Sequence, residues 1–264
     1  PPYPILSGLV GSEMCIRDSK DTLQKLASYK ADVMLMAFVN IFVPELARNT
    51  PKFGSICFHP SLLPLHRGPS AVNWPIIMGS EKSGFSWFYP TDGLDEGDVL
   101  MQWECPIDAN DTVIDLYFKK IYPTAVDSVL EVCDLFRSGN PPHRIQDESL
   151  ATYERRCTKK HALIDWNKPV NQVYNLIRGT NPAPGAWTRY KDTVVSIFDC
   201  EKAEGDGISG RIVDISGQGV TVQCIGGRIL IKRVKPDADS KQSAEAWASM
   251  SDLSVGEHLG NLNS

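Results

Sequence analysis

From Asp21 onward the apolar positions fall into short blocks whose period changes along the chain. In "DTLQKLASYK" they recur three and four apart, which predicts an amphipathic helix. "DVMLMAF" and "FGSICF" are apolar runs of strand length, and "FVPELARN" between them reads as a helix start with proline in its first turn. "PSAVNWPIIMGS" predicts a helix ending near Gly79. "SGFSWFYP" and "DVLMQWECP" read as two strands around the glycine-bearing loop "TDGLDEG". The long block "DTVIDLYFKKIYPTAVDSVLEVCDLFRSG" has helical spacing, with Asp111 and Thr112 placed to cap its start and an interruption expected at Pro123.

The pattern then breaks. Residues 138–160, "SGNPPHRIQDESLATYERRCTKK", are polar and rich in turn formers. A helix follows in "PVNQVYNLIRG", and after it the period drops to two in "TVVSIFDCEKA", "GRIVDIS", "GVTVQCI" and "GRILIKRVKP". The tail from Asp237 is polar and expected to be loosely held, apart from a short helix around "SAEAWASM". Alternating strands and helices followed by β-branched runs predict an α/β domain with a largely parallel sheet, then a small β-rich, barrel-like domain. The expected boundaries are 20–140 for the first domain, 141–160 for a linker, 161–240 for the second domain and 241–264 for a tail.

Composition narrows the class. The chain has 264 residues, 42% hydrophobic and 22% charged, with a net charge of −5, which disfavours a nucleic-acid binder. Seven cysteines without CxxC or metal-ligand spacing read as reduced thiols of a cytoplasmic protein, and no metal site is expected. No apolar run is long enough to span a membrane, so no membrane partner is expected. "LVGSEMCIRDS", residues 9–19, resembles the translation of a transposase sequencing adaptor. Residues 1–19 are therefore read as a non-native segment.

Candidate chemistry gathers in two places. The run "GSICFHPSLLPLHRG" ends a strand on His59 and enters a loop stiffened by Pro60 and Pro64. Strand alternation puts Cys57 and His59 on one face, and Ile56 and Phe58 on the other. The carboxyl edge of an α/β sheet is where ligands bind, and Arg67 with Gly68 is expected to place a cation and an open backbone at the rim of such a site. The second place is "TDGLDEGDVLMQ", where Asp92, Asp95, Glu96 and Asp98 crowd one tight loop. Taken singly, any of these acids reads as a solvated surface group, and a lone histidine as a structural one.

Taken together, "HPSLLPLHRG" and "GSEKSGFSWFYPTDGLDEGDVLMQ" resemble the formyltransferase family that uses 10-formyltetrahydrofolate. The likeness runs from about Ala31 to about Lys235, and "VNWPII" and "IRGTNPAPGAWT" carry it further. "GLDEGDVLMQ" is nearest in kind to the hydrolase domain of 10-formyltetrahydrofolate dehydrogenase, while "PGAWT" also echoes methionyl-tRNA formyltransferase. The resemblance implies a Rossmann-like first domain, and 10-formyltetrahydrofolate as formyl donor without a metal. It implies His59 and Asp95 as the catalytic pair, and a folate pocket built from Phe38, Val39, Asn40 and Phe42 together with Asp92, Gly93 and Leu94. It also implies that an opening strand–helix–strand region of the family, about 30 or more residues, is replaced here by the adaptor-like stretch.

Cys57 is a departure. Most of the family carries asparagine two positions before the histidine, and a thiol is a far weaker hydrogen-bond donor to an oxyanion than an amide. The resemblance therefore implies formyl transfer or hydrolysis with an undetermined acceptor. From Tyr190 onward there are eight Lys and Arg against eleven Asp and Glu, which disfavours tRNA as partner. The alternatives are a methionyl-tRNA formyltransferase, a sugar-nucleotide N-formyltransferase and a catalytically weak folate-binding module.

Overall fold

The computed structural model describes residues 20–39, 41–237 and 239–260. The adaptor-like stretch and Asn40 lie outside these residues. The chain divides into two compact units. One holds the described residues up to Arg67 with Phe85–Trp103 and Asp127–Thr152; the other holds Gly68–Gly84, Glu104–Val126 and the chain from Tyr153 onward.

Four strands form the first sheet in the order β1 (Met34–Met36), β2 (Ser55–His59), β3 (Lys82–Phe88), β4 (Val99–Pro106). β1 and β2 are parallel, with Met36 opposite Cys57. β2 and β3 are antiparallel, with Cys57 opposite Phe88 and His59 opposite Ser86. The expected α/β architecture is present, but the sheet is mixed where a largely parallel one was expected. The reason lies in the connection from β2 to β3. Its helix, Asn73–Met78, packs within the second unit against the helix Val170–Gly179, so it does not form a βαβ crossover. Asn73 Nδ2 donates to Gly179 O at 2.8 Å, and a Cβ on Gly179 would stand 2.9 Å from the backbone nitrogen of Ile77. That contact requires glycine. The helix stops where expected, on Gly79 in the left-handed region at φ 75°.

The helix expected to break at Pro123 does not break. Residues Asp115–Ile121 widen into a π-helical stretch and the chain continues as an α-helix over Tyr122–Arg137. Widening the turn ahead of proline absorbs its missing N–H and the ring clash.

The second unit is an antiparallel sheet, β5 (Ala186–Tyr190), β6 (Thr193–Ala203), β9 (Gly227–Pro236), β8 (Gly219–Cys224), β7 (Ile212–Ser216), with β10 (Gln242–Ser243) beside β9. Val195, Ile197, Val220, Val222, Ile229, Ile231 and Val234 from alternate strand positions are fully buried, and Val173 and Ile177 of the helix Val170–Gly179 join them. β5 carries no separate signal in the sequence, because only "AWTRY" follows the proline-rich turn.

The tail also differs from expectation. The helix Ala244–Met250 buries Trp247 and Ala248 in this core, Leu253 and Leu259 follow them, and Tyr190 Oη donates to Glu257 at 2.8 Å. A polar average conceals four apolar anchors spaced to reach one core.

Candidate functional site

β2 delivers His59 to the sheet edge with its side chain almost wholly buried. Its Nε2 lies 2.8 Å from the carbonyl oxygen of His66. A carbonyl can only accept, so Nε2 carries the hydrogen and Nδ1 is the nitrogen left for chemistry. Nδ1 faces Asp95 Oδ2 at 3.6 Å. That is longer than a hydrogen bond but within ion-pair range, so the carboxylate faces the imidazole without being bonded to it. Asp95 sits at φ 57°, a left-handed conformation that aspartate tolerates better than most residues.

Both groups are held by the stretch that reads as a linker. Arg67 is fully buried. Its Nε and Nη2 donate to Gln146 Oε1 at 3.2 and 2.8 Å, and Nη1 and Nη2 donate to the Glu148 carboxylate at 2.9 and 2.6 Å. Gln146 Nε2 in turn donates to the backbone oxygens of Asp95 at 2.8 Å and Gly97 at 2.6 Å. Thr152 Oγ1 accepts from His66 N at 2.8 Å, and Thr152 O accepts from Arg67 N at 3.0 Å. One strip of chain, 146–152, thus fixes the carbonyl that orients His59 and the backbone that presents Asp95.

This corrects the expectation that Arg67 and Gly68 form an exposed rim. Arg67 is an internal brace. Gly68 is buried, and a Cβ there would lie 2.5 Å from Glu154 O. Arg67 and Gly68 are closed in because guanidinium donors need acceptors when desolvated, and 146–148 supplies them.

The loop before β4 is equally constrained. A Cβ on Gly97 would stand 1.5 Å from Tyr89 O, so only glycine fits where the loop closes. Arg48, buried and not singled out by the sequence, donates to Pro90 O at 3.1 Å, pairs with Asp92 and lies over the Phe42 ring at 5.5 Å. It ties the 90–95 loop to the 41–48 segment. Phe38, Val39, Ile41 and Phe42 on one segment and Leu94 on the other are all exposed. Phe38 also approaches the Phe58 ring at 6.3 Å. These exposed apolar side chains thus lie on the two segments that Arg48 joins, one of which carries Asp95.

Cys57 lies against Leu63, Phe88 and Val99. Burial, reinforced by the negative charge of Asp95, pushes its thiol up to about 12. It is therefore a neutral S–H at physiological pH, near enough to Asp95 to feel its charge. Among the described residues no helix is long and apolar enough to cross a membrane.

Both parts of the chain match known proteins. The formyl transferase family matches residues 16–123, starting within the adaptor-like stretch, and its C-terminal domain matches residues 156–251. The chain is 38% identical to mitochondrial 10-formyltetrahydrofolate dehydrogenase of Mus musculus over 75% of its own length, which is 22% of that protein. The chain thus spans about a fifth of that relative. It is 32% identical to methionyl-tRNA formyltransferase of Clostridioides difficile (strain 630), over 82% of this chain and 70% of that one. The structure of HypX from Aquifex aeolicus in complex with tetrahydrofolic acid has the same fold, with a TM-score of 0.70 and 20% identity over 90% of this chain and 42% of that one. With both family domains matched in order and a relative covered along most of its length, the chain belongs to the formyl transferase family.

Proposed function

We propose that this chain binds 10-formyltetrahydrofolate and moves its formyl group, to water or to an amine, through His59 and Asp95. The observation that carries the reading is the geometry of the pair. A buried imidazole has one nitrogen committed to a backbone carbonyl and the other facing a carboxylate across 3.6 Å, beside an exposed apolar surface.

In this reading the pterin and aminobenzoyl rings lie on Phe38, Val39, Phe42 and Leu94, with Asp92 and Gly93 in the adjoining loop. Water or an amine attacks the formyl carbon while His59 Nδ1 takes the proton it sheds, and Asp95 steadies the imidazolium that results. Collapse of the tetrahedral intermediate breaks the bond between the formyl carbon and N10. The proton returns to N10, so that tetrahydrofolate leaves together with formate or the formylated amine. Cys57, a poor donor, leaves the oxyanion less well stabilised than an amide would, which favours hydrolysis or slow transfer over fast amine formylation. The six described cysteines are free, in keeping with a cytoplasmic, reducing setting.

The direct test is a single-turnover reaction with 10-formyltetrahydrofolate, reading formate and tetrahydrofolate, with and without an added amine. Stoichiometric loss of the formyl group is expected. Tight folate binding with no formyl loss would reduce the chain to a binding module, and neither binding nor loss would remove the proposal.

The brace gives a second test. Gln146→Leu keeps the size of the side chain but leaves the Asp95 and Gly97 carbonyls without this donor and the buried Arg67 Nε without its acceptor, at about 1–3 kcal/mol for each buried group left unpaired. The thermal midpoint should fall by about 2–4 °C per kcal/mol lost for a chain of this size. Formyl loss should fall further than the melting change explains, because the loop carrying Asp95 loosens. Unchanged turnover at a lowered midpoint would show that Gln146 stabilises the fold without positioning the site.

A further inference from the structure

The second unit contains a cavity of about 710 Å³ that the proposed reaction does not use. Its walls are built on β5. In that strand Ala186, Thr188 and Tyr190 face the core, and Trp187 and Arg189 share the opposite face and line the cavity. β5 is an edge strand, and its free backbone groups are taken by two other segments. Trp187 N donates to Ala162 O and Ile164 N to Trp187 O, both at 2.8 Å, while Gly260 N donates to Arg189 O at 2.8 Å. Leu259 N then donates to Gly210 O at 2.9 Å, which closes a ring of hydrogen-bonded backbone around the opening. The cavity is therefore preformed and needs no ordering of loops to accept a ligand.

Its lining is not that of a packing defect. Lys160, Arg189 and His258 all border it, and none has an ion-pair or hydrogen-bond partner for its side chain among the described residues. The only carboxylate in the lining is Asp165, one of whose oxygens accepts from Asn167 N at 2.9 Å. Two fixed cations and an imidazole thus outweigh one acid. Both indoles are pinned at their nitrogens: Trp187 Nε1 donates to Lys159 O at 2.7 Å and Trp166 Nε1 to Thr188 Oγ1 at 3.0 Å. Trp187 remains half-buried and offers a fixed aromatic face, with Leu163 and Ile208 exposed at the mouth. The volume lies within the usual range for small-molecule sites.

We infer that this cavity is a second ligand site, taking a planar aromatic molecule that carries a phosphate monoester. The ring stacks against Trp187, and the phosphate, with three acceptor oxygens, meets Lys160, Arg189 and His258. The site is separate in residues from His59 and Asp95, and the inference does not depend on the function proposed for them.

The test uses the full chain and follows the indole N–H resonances of Trp166 and Trp187, assigned by single Trp→Phe variants, during titration with AMP and with 1-naphthyl phosphate. At least one of them is expected to shift the Trp187 resonance with half-saturation at or below about 1 mM. Adenosine lacks the anion and inorganic phosphate lacks the ring, so each should bind about tenfold or more weaker. The double variant Lys160→Ala with Arg189→Ala changes two exposed side chains and should melt like the parent. It should weaken binding of the monoester by about tenfold or more. The inference is overturned if neither monoester moves the Trp187 resonance, if adenosine binds as well as AMP, or if the double variant binds unchanged.

Discussion

Replacing His59 with alanine is expected to slow formyl loss from 10-formyltetrahydrofolate by about 10²-fold or more, the usual scale for removing a positioned acid or base. Asp95→Asn should cost a similar factor for a different reason. The amide keeps the shape of the carboxylate but cannot steady a charged imidazole 3.6 Å away. Folate binding should survive both changes, since the surface assigned to the rings belongs to Phe38, Val39, Phe42 and Leu94. His59→Gln, which can still donate to His66 O, separates the loss of chemistry from the loss of that hydrogen bond. It should restore the melting point without restoring turnover. The measurement is single-turnover formate release alongside a folate titration. Turnover near the parental level in either His59→Ala or Asp95→Asn would sink the pair as the reacting groups.

The parts of this site that were legible in the sequence are those written in local rules. His59 closes a five-residue strand because an apolar run ends in His-Pro, and Cys57 lies on its face because strands alternate. Gly79 ends a helix in the left-handed region, and Gly97 sits where backbone leaves no room for a Cβ. What was not legible depends on partners distant in the chain. Arg67 reads as a surface cation until Gln146 and Glu148, about eighty residues on, supply its acceptors. The same polar residues make 138–160 look like a free linker, although Gln146 is polar because it bonds to backbone inside the structure. Arg48 was missed for the same reason, since its acceptors lie on the 90–92 loop. The direction of β3 was hidden because the helix that precedes it gives the periodicity of a crossover while packing elsewhere.

Cys57→Asn should raise formyl transfer or hydrolysis, because the thiol is a weak donor where an amide would be a strong one. Burial and the charge of Asp95 hold its ionisation near 12, so at neutral pH it is neither a nucleophile nor an anion. Iodoacetamide at pH 8 should accordingly label it more slowly than an ordinary exposed cysteine. Its Sγ sits 3.8 Å from Phe58 O, a weak contact that leaves it free to be replaced. An amide at the same place offers two strong N–H donors beside His59, where the oxyanion of the tetrahedral intermediate forms in the proposed mechanism. One good oxyanion donor contributes about 2.7–4 kcal/mol, or about 10²–10³ in rate, and the side chain that would supply it is the one most formyltransferases carry. Part of this gain will be lost, because the carbonyl end of the amide must fit against Leu63, Phe88 and Val99. The informative comparison is parent against Cys57→Asn and Cys57→Ser, for formate release and for amine formylation. The amide should raise one or both rates, and the small hydroxyl should fall between. If Cys57→Asn instead depresses both rates while folate binding holds, the thiol has a catalytic role of its own and cannot be read as a weak substitute for asparagine.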